Sequence, residues 1–397
     1  MSHAHRNRSD MGQPVQFSRP YPAPNTLERL AVVHASDHAH GDGQFTRSAT
    51  LKLTAIVGGG FPMLTTSGTH ALEMASRLLN LDDGDEVILP SYTFPSAATA
   101  VAMTGARLVF VDIDERTGNI DPATIDEAIT PRTRAISVMH YGGSPVEMSS
   151  VMASAQDADI AVIEDNAHGL GVRSDHGVLG RIGAFGVQSF HDTKNVHAGE
   201  GGALLINDPA FIAQAEIMRE KGTDRSQFMR GAVDKYSWVD WGSSYLPSEY
   251  NAAVLDAQLA VFDDIQRRRH AVWDRYAEAL ADWAPHVGAR LTDPPQGVHA
   301  AHVFFVVMAS EEDQRSLLAW TRARGIMAAS HYVPLHSSRA GRRYGRTLRP
   351  LERTDRFSAG IVRLPLWPGM SEDAITRVIE SVLAWRPGLE IDGEVAS

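Results

Sequence analysis

SFHDTKNVHAGEGG, residues 189–202, lies between two short apolar runs at 184–187 and 203–206, each of which reads as a buried strand. A single lysine, Lys194, stands in this loop among Ser, His, Asp, Asn and Gly. The ordinary reading of such a position is a solvated loop lysine, because burying an unpaired charge is costly. A lysine whose neighbours limit its solvation has a lowered pKa instead and can act as an amine nucleophile. What the rest of the chain places around Lys194 decides between the two.

Upstream, apolar runs alternate with helical patterns. Strands are expected at 86–89, 108–111, 135–138 and 160–163, and helices at 95–103, 122–129 and 148–156. The runs are short and do not alternate with polar residues, as in strands buried on both faces of a parallel sheet. Ligands of such sheets gather at the carboxyl ends of the strands. Tyr92, Phe94, Asp165, His168, Ser189 and Lys194 all fall just after expected strand ends. Ser67, Gly68 and Thr69 precede Leu72, Ala75, Leu78 and Leu79 at helical spacing. That pattern is a polar turn feeding a helix N-terminus, where free N–H groups and the positive dipole end suit a phosphate. An ordinary N-cap by Ser67 or Thr69 explains the turn equally well. No Gly-Lys-Ser/Thr follows, so it is not a P-loop, and Gly169-Leu170-Gly171 lacks the third glycine of a dinucleotide fingerprint.

From about residue 246 the pattern changes. One long helical stretch is expected at 248–281, with Arg267, Arg268 and Arg269 on a solvated face. Strands at 303–308, near 327–332 and at 361–364, with helices at 313–324 and 374–385, form an α+β unit. The expected organisation is a disordered segment 1–16, a large domain 17–246, a small domain 247–388 and a tail 389–397. A chain of 397 residues with 43% hydrophobic residues is long enough for two such cores. The net charge of -11 argues against nucleic-acid and anionic-membrane partners. The absence of cysteine excludes disulfides, thiolate metal sites and cysteine nucleophiles. No metal site is expected, because His34, His38 and His40 lack a partnering carboxylate-and-histidine pattern. Without an 18-residue apolar run or a signal-peptide pattern, a soluble cytoplasmic protein is expected.

Pyridoxal phosphate (PLP) needs a lysine for its Schiff base, a phosphate cradle, an aromatic face and a carboxylate at its pyridine nitrogen. Lys194, the 67–69 turn with Ser189, Phe94 and Asp165 supply those four requirements. From about Phe17 to about Trp385 the sequence resembles the DegT/DnrJ/EryC1/StrS sugar aminotransferases. The resemblance rests on GDGQFTR, GDEVILPSYTFPSAA, SFHDTKN, AGEGGALLIND, EKGTDRSQF, VDKYSW, GSSYLPSEYNAA and HYVPLHSS. It implies the α/β type I fold of aspartate aminotransferase, with a mostly parallel sheet in the large domain and a small C-terminal α+β domain. Within the family the chain looks most like the dTDP-4-amino-4,6-dideoxygalactose transaminases, which move an amino group from glutamate to C4 of dTDP-4-keto-6-deoxyglucose.

The resemblance also assigns roles. Lys194 would carry the cofactor and move the proton, and Asp165 would keep the pyridine nitrogen protonated. Phe94 would cover the ring, and Ser67, Gly68, Thr69 and Ser189 would hold the phosphate. His168, at a position often glutamine in the family, would lie near the ring hydroxyl. Ser244, where asparagine is common, would reach the phosphate of a neighbouring subunit, which makes the unit a homodimer with shared active sites. His331 and Tyr332 would face the substrate. Arg230 would reach the nucleotide diphosphate, with a solvated surface charge as its equal alternative. Three rivals remain: amination at C3, a sugar 3-dehydratase, and a non-catalytic regulatory protein of the same fold. Lys194 argues against the dehydratase, whose relatives carry histidine there. Retention of Lys194, Asp165 and Ser189 together argues against loss of catalysis.

Overall fold

The structure is a computed structural model that describes residues 13–389. Eight strands form one sheet, in the order Phe61–Thr65, Gly202–Ile206, Phe185–Ser189, Ala161–Asp165, Thr133–Met139, Glu86–Pro90, Arg107–Val111 and Gly345–Thr347. Gly202–Ile206 runs antiparallel to both of its neighbours, and the other pairings are parallel. The strand Glu86–Pro90 is buried along its whole length. Its Val87 and Leu89 pack with the helices Gly68–Leu78 and Pro95–Ala102, while Ile88 packs with the helix Met148–Asp157 on the other face. Side chains alternate as in any strand, but both faces meet apolar helices, so no alternation shows in the sequence. This is the mostly parallel α/β sheet expected.

The carboxyl ends of the parallel strands meet at one edge. Because Gly202–Ile206 is reversed, its first residue joins them, with Gly202 in register with both Thr65 and Ser189. A side chain there is impossible: a Cβ on Gly202 would lie 2.3 Å from the Ser67 carbonyl carbon and 2.4 Å from the Gly68 nitrogen. Glycine therefore lets the N-terminus of the Gly68–Leu78 helix close onto the sheet.

The C-terminal part is the expected α+β unit. Strands Arg290–Leu291, Phe304–Val307 and Ile361–Leu364 form an antiparallel sheet. The helices Phe262–Leu280, Glu311–Ala323 and Glu372–Ala384 cover it around Tyr276, Phe304, Leu317, Val378 and Trp385.

Several expectations are corrected. The helix expected at 248–281 is two helices, Glu249–Leu259 and Phe262–Leu280, interrupted at Ala260 and Val261. Leu255 and Leu259 of the first pack with Ala49 and Leu53 of Gln44–Val57, so the large body continues past the boundary expected at 246. Arg269 is not solvated with Arg267 and Arg268. Consecutive helical positions do not share a face, and Arg269 turns inward to donate to the Ala301 and His302 carbonyls at 3.0 and 2.7 Å. Burial lowers its pKa to about 9. Arg268 pairs with Asp264 at the surface.

The helix expected at 122–129 is a pair of 3₁₀ turns, Pro122–Thr124 and Asp126–Ala128. The strand expected near 327–332 shrinks to one bridge between Ala329 and Arg363, because the chain leaves extended geometry at Tyr332, φ 27°. Residues 13–16, expected to be disordered, are ordered: Val15 pairs with Ile326 and is buried in the C-terminal core. Residues 1–12, and 390–397 of the expected tail, lie outside the described residues.

The edge strand Gly345–Thr347 joins the C-terminal part to the large sheet, and Glu86 fastens it. Its buried carboxylate accepts from Arg346 Nη2 at 3.0 Å, Arg132 Nη2 at 2.9 Å and Thr130 Oγ1 at 2.8 Å. Burial alone would raise its pKa, but the bonds from Arg346, Thr130 and Arg132 outweigh that and hold it at about 2, against an ordinary 4.5. Its contribution to stability is therefore full above pH 4.5 and lost as pH falls toward 2. Glu86→Gln is expected to cost roughly 3 kcal/mol at pH 7, since it leaves Arg346 without its partner. The gap to wild type should narrow as pH falls from 4.5 toward 2 in urea melts. A gap that stays constant with pH would contradict this account.

Candidate active site

At the carboxyl edge of the sheet a cavity of about 230 Å³ is lined by Ser67, Gly68, Thr69, Phe94, Asp165, Ser189, Lys194 and Tyr332, among others. Larger clefts exist, including one of about 630 Å³ between Asp114 and Arg353. The smaller one is distinguished by its chemistry: a desolvated amine, a buried carboxylate and a helix N-terminus open into the same space.

The helix N-terminus comes first. Ser67 caps Gly68–Leu78, its Oγ accepting from His70 N at 3.0 Å. The first-turn N–H groups of Gly68 and Thr69 have no acceptor within the helix. Gly68 is pressed against Ser189, where an added Cβ would lie 2.9 Å from the Ser189 Cβ. Thr69 Oγ1 shares a hydrogen bond of 2.7 Å with Ser96 Oγ, at the start of Pro95–Ala102. Two helix N-termini and three hydroxyl side chains thus converge on one end of the cavity, an arrangement that suits an anion such as phosphate. Ser96 was missed in the sequence. The signal was Pro95 at a helix start, which places the next residue in the first turn.

Two adjacent carboxylates end the Ala161–Asp165 strand, and alternation sends them to opposite faces. Glu164 is consumed structurally: it accepts from Gly180, Ile182 and Gly183 N at 2.7–2.8 Å and from His140 Nε2 at 3.0 Å. Asp165 faces the cavity. It is buried, and burial raises its pKa, countered by the Ala167 N–H at 3.1 Å and by the charges of Lys194 and His140.

Lys194 keeps some accessible surface because the cavity opens onto it, yet its ammonium lies deep in protein. Desolvation lowers its pKa to about 8; Asp165 opposes that shift and Arg363 adds to it. The solvated-loop reading is therefore set aside. The backbone places Lys194 in a turn, with its N–H on His191 O at 2.9 Å.

The other predicted residues divide. Phe94 is half exposed on the cavity wall, 6.0 Å from the Tyr332 ring. His168 is buried behind the cavity and stacks on His302 at 4.0 Å. Its Nδ1 accepts from Gly142 N at 3.2 Å, so in the neutral ring the proton sits on Nε2. Burial holds it neutral by lowering its pKa strongly. His331 sits behind Tyr332, their rings 3.5 Å apart, and shares a hydrogen bond of 2.8 Å with the Tyr141 hydroxyl.

Arg230 is not brought to the cavity: Glu216 takes its guanidinium bidentately at 2.6 Å on the surface. Ser244 is exposed and bridged through its backbone to Glu220, outside this chain's cavity. Among the described residues no cluster of His, Asp and Glu is arranged for a metal.

Residues 23–383 match the DegT/DnrJ/EryC1/StrS aminotransferase family. The chain is 30% identical over 346 residues to the spore coat polysaccharide biosynthesis protein SpsC of Bacillus subtilis (strain 168), covering 83% of this chain and 87% of that protein. Among solved structures, DesV of S. venezuelae, in complex with a ketimine intermediate, is similar with a TM-score of 0.86 and 29% identity, over 96% of this chain and 100% of that one. DesI, in the presence of its TDP-sugar product, is similar with a TM-score of 0.84 and 27% identity, over 94% and 93%.

The electrostatics give a direct prediction. The rate of Lys194 modification by an amine-selective reagent, followed by peptide mass spectrometry, should rise through a midpoint near pH 8. Because the Asp165 carboxylate raises the lysine pKa, the midpoint should fall further in Asp165→Asn. A midpoint near the ordinary 10.5 in both proteins would contradict the geometry.

Proposed function

The chain belongs to the DegT/DnrJ/EryC1/StrS aminotransferase family, and from that premise we propose that it transfers an amino group from glutamate to C4 of dTDP-4-keto-6-deoxyglucose, with PLP as cofactor. The observation that carries the proposal is the pairing in one cavity of the Lys194 amine with the Asp165 carboxylate, beside the anion cradle of the 67–69 turn and Ser189. Two comparisons support the substrate class: SpsC is described as a spore coat polysaccharide biosynthesis protein, and the DesI structure is one in the presence of its TDP-sugar product. The C4 position rests on the sequence stretches shared with that branch of the family.

The residues fit PLP. The N–H groups of Gly68 and Thr69 and the hydroxyls of Thr69, Ser96 and Ser189 form a cradle for its phosphate, with glycines at 68 and 202 where any Cβ would collide. Asp165 is a buried carboxylate whose remaining lone pairs open into the cavity, the partner a pyridine N–H requires. When bound, PLP supplies an electrophilic carbon for an amine and a ring that withdraws electrons from the reacting carbon.

Lys194 is the amine. With a pKa of about 8, roughly a tenth of it is neutral at pH 7, far more than of a solvated lysine. Its Nζ would hold the cofactor, and as a free amine it would take the proton from the α-carbon of the donor and deliver a proton to the sugar carbon. Asp165 would be held ionised by a cationic ring nitrogen. Phe94 and Tyr332 wall the cavity and keep water from the reacting atoms. His168, neutral and with its proton on Nε2, would donate to the ring hydroxyl.

Both half-reactions call on the same Lys194 amine, so the two substrates use it in turn and the kinetics are ping-pong. The sugar enters past His331 and Tyr332. Ser244 serves the neighbouring subunit of a homodimer. In support, the segment around it exposes Tyr236, Trp238 and Trp241, a density of aromatic surface that a subunit contact would cover. Among the described residues no helix is long and apolar enough to cross a membrane. A cytoplasmic location, where glutamate and nucleotide sugars are made, suits the reaction.

Incubation with dTDP-4-keto-6-deoxyglucose and glutamate, followed by NMR of the product, tests the proposal. An amine at C4 and parallel double-reciprocal lines are expected. Amination at C3 would overturn the position, and intersecting lines would overturn the shared use of Lys194. Lys194→Ala should give no product while its circular dichroism stays unchanged.

A further inference from the structure

Asn195 follows Lys194 in the chain, and among the described residues its side chain bonds only to the C-terminal part of the molecule. Nδ2 donates to Gln266 Oε1 and to the Ala300 carbonyl, both at 2.8 Å. Gln266 closes the triangle by donating from Nε2 to the same Ala300 carbonyl at 3.2 Å. With both N–H groups of Asn195 engaged, its Oδ1 faces His302 Nδ1 at 2.8 Å. An amide oxygen only accepts, so His302 carries its proton on Nδ1. Burial holds that ring neutral, and the charges of Lys194, Arg269, Arg363 and His331 push the same way. Its face lies on the His168 ring at 4.0 Å.

The turn that presents His302 is unfavourable in two respects. Ala301 has φ 47°, a left-handed conformation that a non-glycine residue holds under strain. Arg269 is buried and donates to the Ala301, His302 and Leu366 carbonyls at 3.0, 2.7 and 3.5 Å. A buried guanidinium answered by carbonyls alone costs stability. Backbone strain and a desolvated cation therefore hold one short turn. What that turn delivers toward the cavity is the His302 ring, bonded to Asn195 and stacked on His168. The backbone bond of Lys194 itself, to His191 O, stays within the loop. The side chain of Asn195, one residue on, is what crosses to the other domain.

We infer that His302 is a positioning residue for Lys194: through Asn195 it ties the loop bearing the amine to the C-terminal domain and keeps Nζ drawn in beside Asp165. The inference rests on the aminotransferase reading above, in which Lys194 is the working amine. Without the N–H of His302, Asn195 Oδ1 is a buried acceptor with no donor. The loop then relaxes outward and Lys194 regains water, while Asp165 and Arg363 keep their own charges.

The test compares wild type with His302→Phe, His302→Asn, Asn195→Ala and Val378→Ala. His302→Phe keeps a ring for His168 but loses the donor. His302→Asn restores an N–H as many bonds from the backbone as Nδ1. Asn195→Ala removes the same bond from the loop side without enlarging any side chain, and serves if His302→Phe does not fold. Val378→Ala truncates the C-terminal core away from this turn and controls for lost stability. Without cofactor, the pH midpoint of Lys194 modification is read by peptide mass spectrometry. It should rise by about one pH unit in His302→Phe and Asn195→Ala, return most of the way in His302→Asn, and stay at the wild-type value in Val378→Ala. With PLP loaded, the glutamate and amino-sugar half-reactions of His302→Phe should slow by a similar factor, about ten- to hundredfold, because one displaced amine serves both. Unchanged midpoints in His302→Phe and Asn195→Ala, an equal rise in Val378→Ala, or no recovery in His302→Asn would each overturn the inference. A wild-type midpoint near 10.5 is a different failure: it would overturn the reading of Lys194 itself, and the inference with it.

Discussion

The site depends on keeping one ammonium out of water. Lys194 would titrate near 10.5 in solvent; enclosed at the carboxyl edge of the sheet, it titrates near 8. Desolvation is a penalty that folding must carry, and here it is carried beside a carboxylate under the opposite pressure. Burial pushes Asp165 up as it pushes Lys194 down. Each group is thereby brought toward the neutral state, and each is strongly biased by whatever charge next enters the cavity. A cationic ring nitrogen at Asp165 and a carbonyl carbon at Lys194 are partners that would suit this pair.

The fold supplies the enclosure through one reversed strand. Gly202–Ile206 carries the chain back across the sheet, so that the Lys194 loop begins at Ser189, ends at Gly202 and closes beneath the helix start at Gly68. Glycines at 68 and 202 allow this three-way approach, because a Cβ at either position would enter a neighbouring chain segment. The same adjacency places the anion cradle next to the amine. The C-terminal domain adds a second wall, through Tyr332 on the cavity and the aromatic cluster behind it. Glu86 and Arg346 fasten that domain's chain to the large sheet.

What the sequence reveals follows from the same physics. Strands buried on both faces need apolar residues at every position, so the central strands stood out as short unbroken runs. The edge strands did not: Phe61–Thr65 follows three consecutive glycines, and Gly345–Thr347 is only three residues long. Arg269 was invisible as a buried residue because its neighbours Arg267 and Arg268 are solvated and the carbonyls it serves lie far along the chain. Lys194, Asp165, Ser189 and the 67–69 turn were legible because loops after strand ends converge in parallel sheets. Ser96 was not, because its significance lies in a contact between distant segments, a 2.7 Å hydroxyl pair with Thr69. For Arg230 the sequence leaves a ligand contact and a surface charge equally open, and the fold places Glu216 against it at the surface.

Lys194 is proposed as the one lysine that carries the cofactor. The chain has four: Lys52, Lys194, Lys221 and Lys235. Lys52 is already bonded to Asp256. Reduction of the PLP-loaded protein with borohydride, followed by proteolysis and mass spectrometry, reads the carrier directly. A phosphopyridoxyl group is expected on the peptide containing Lys194 and on no other. The label on Lys52, Lys221 or Lys235, or no label at all, would contradict it.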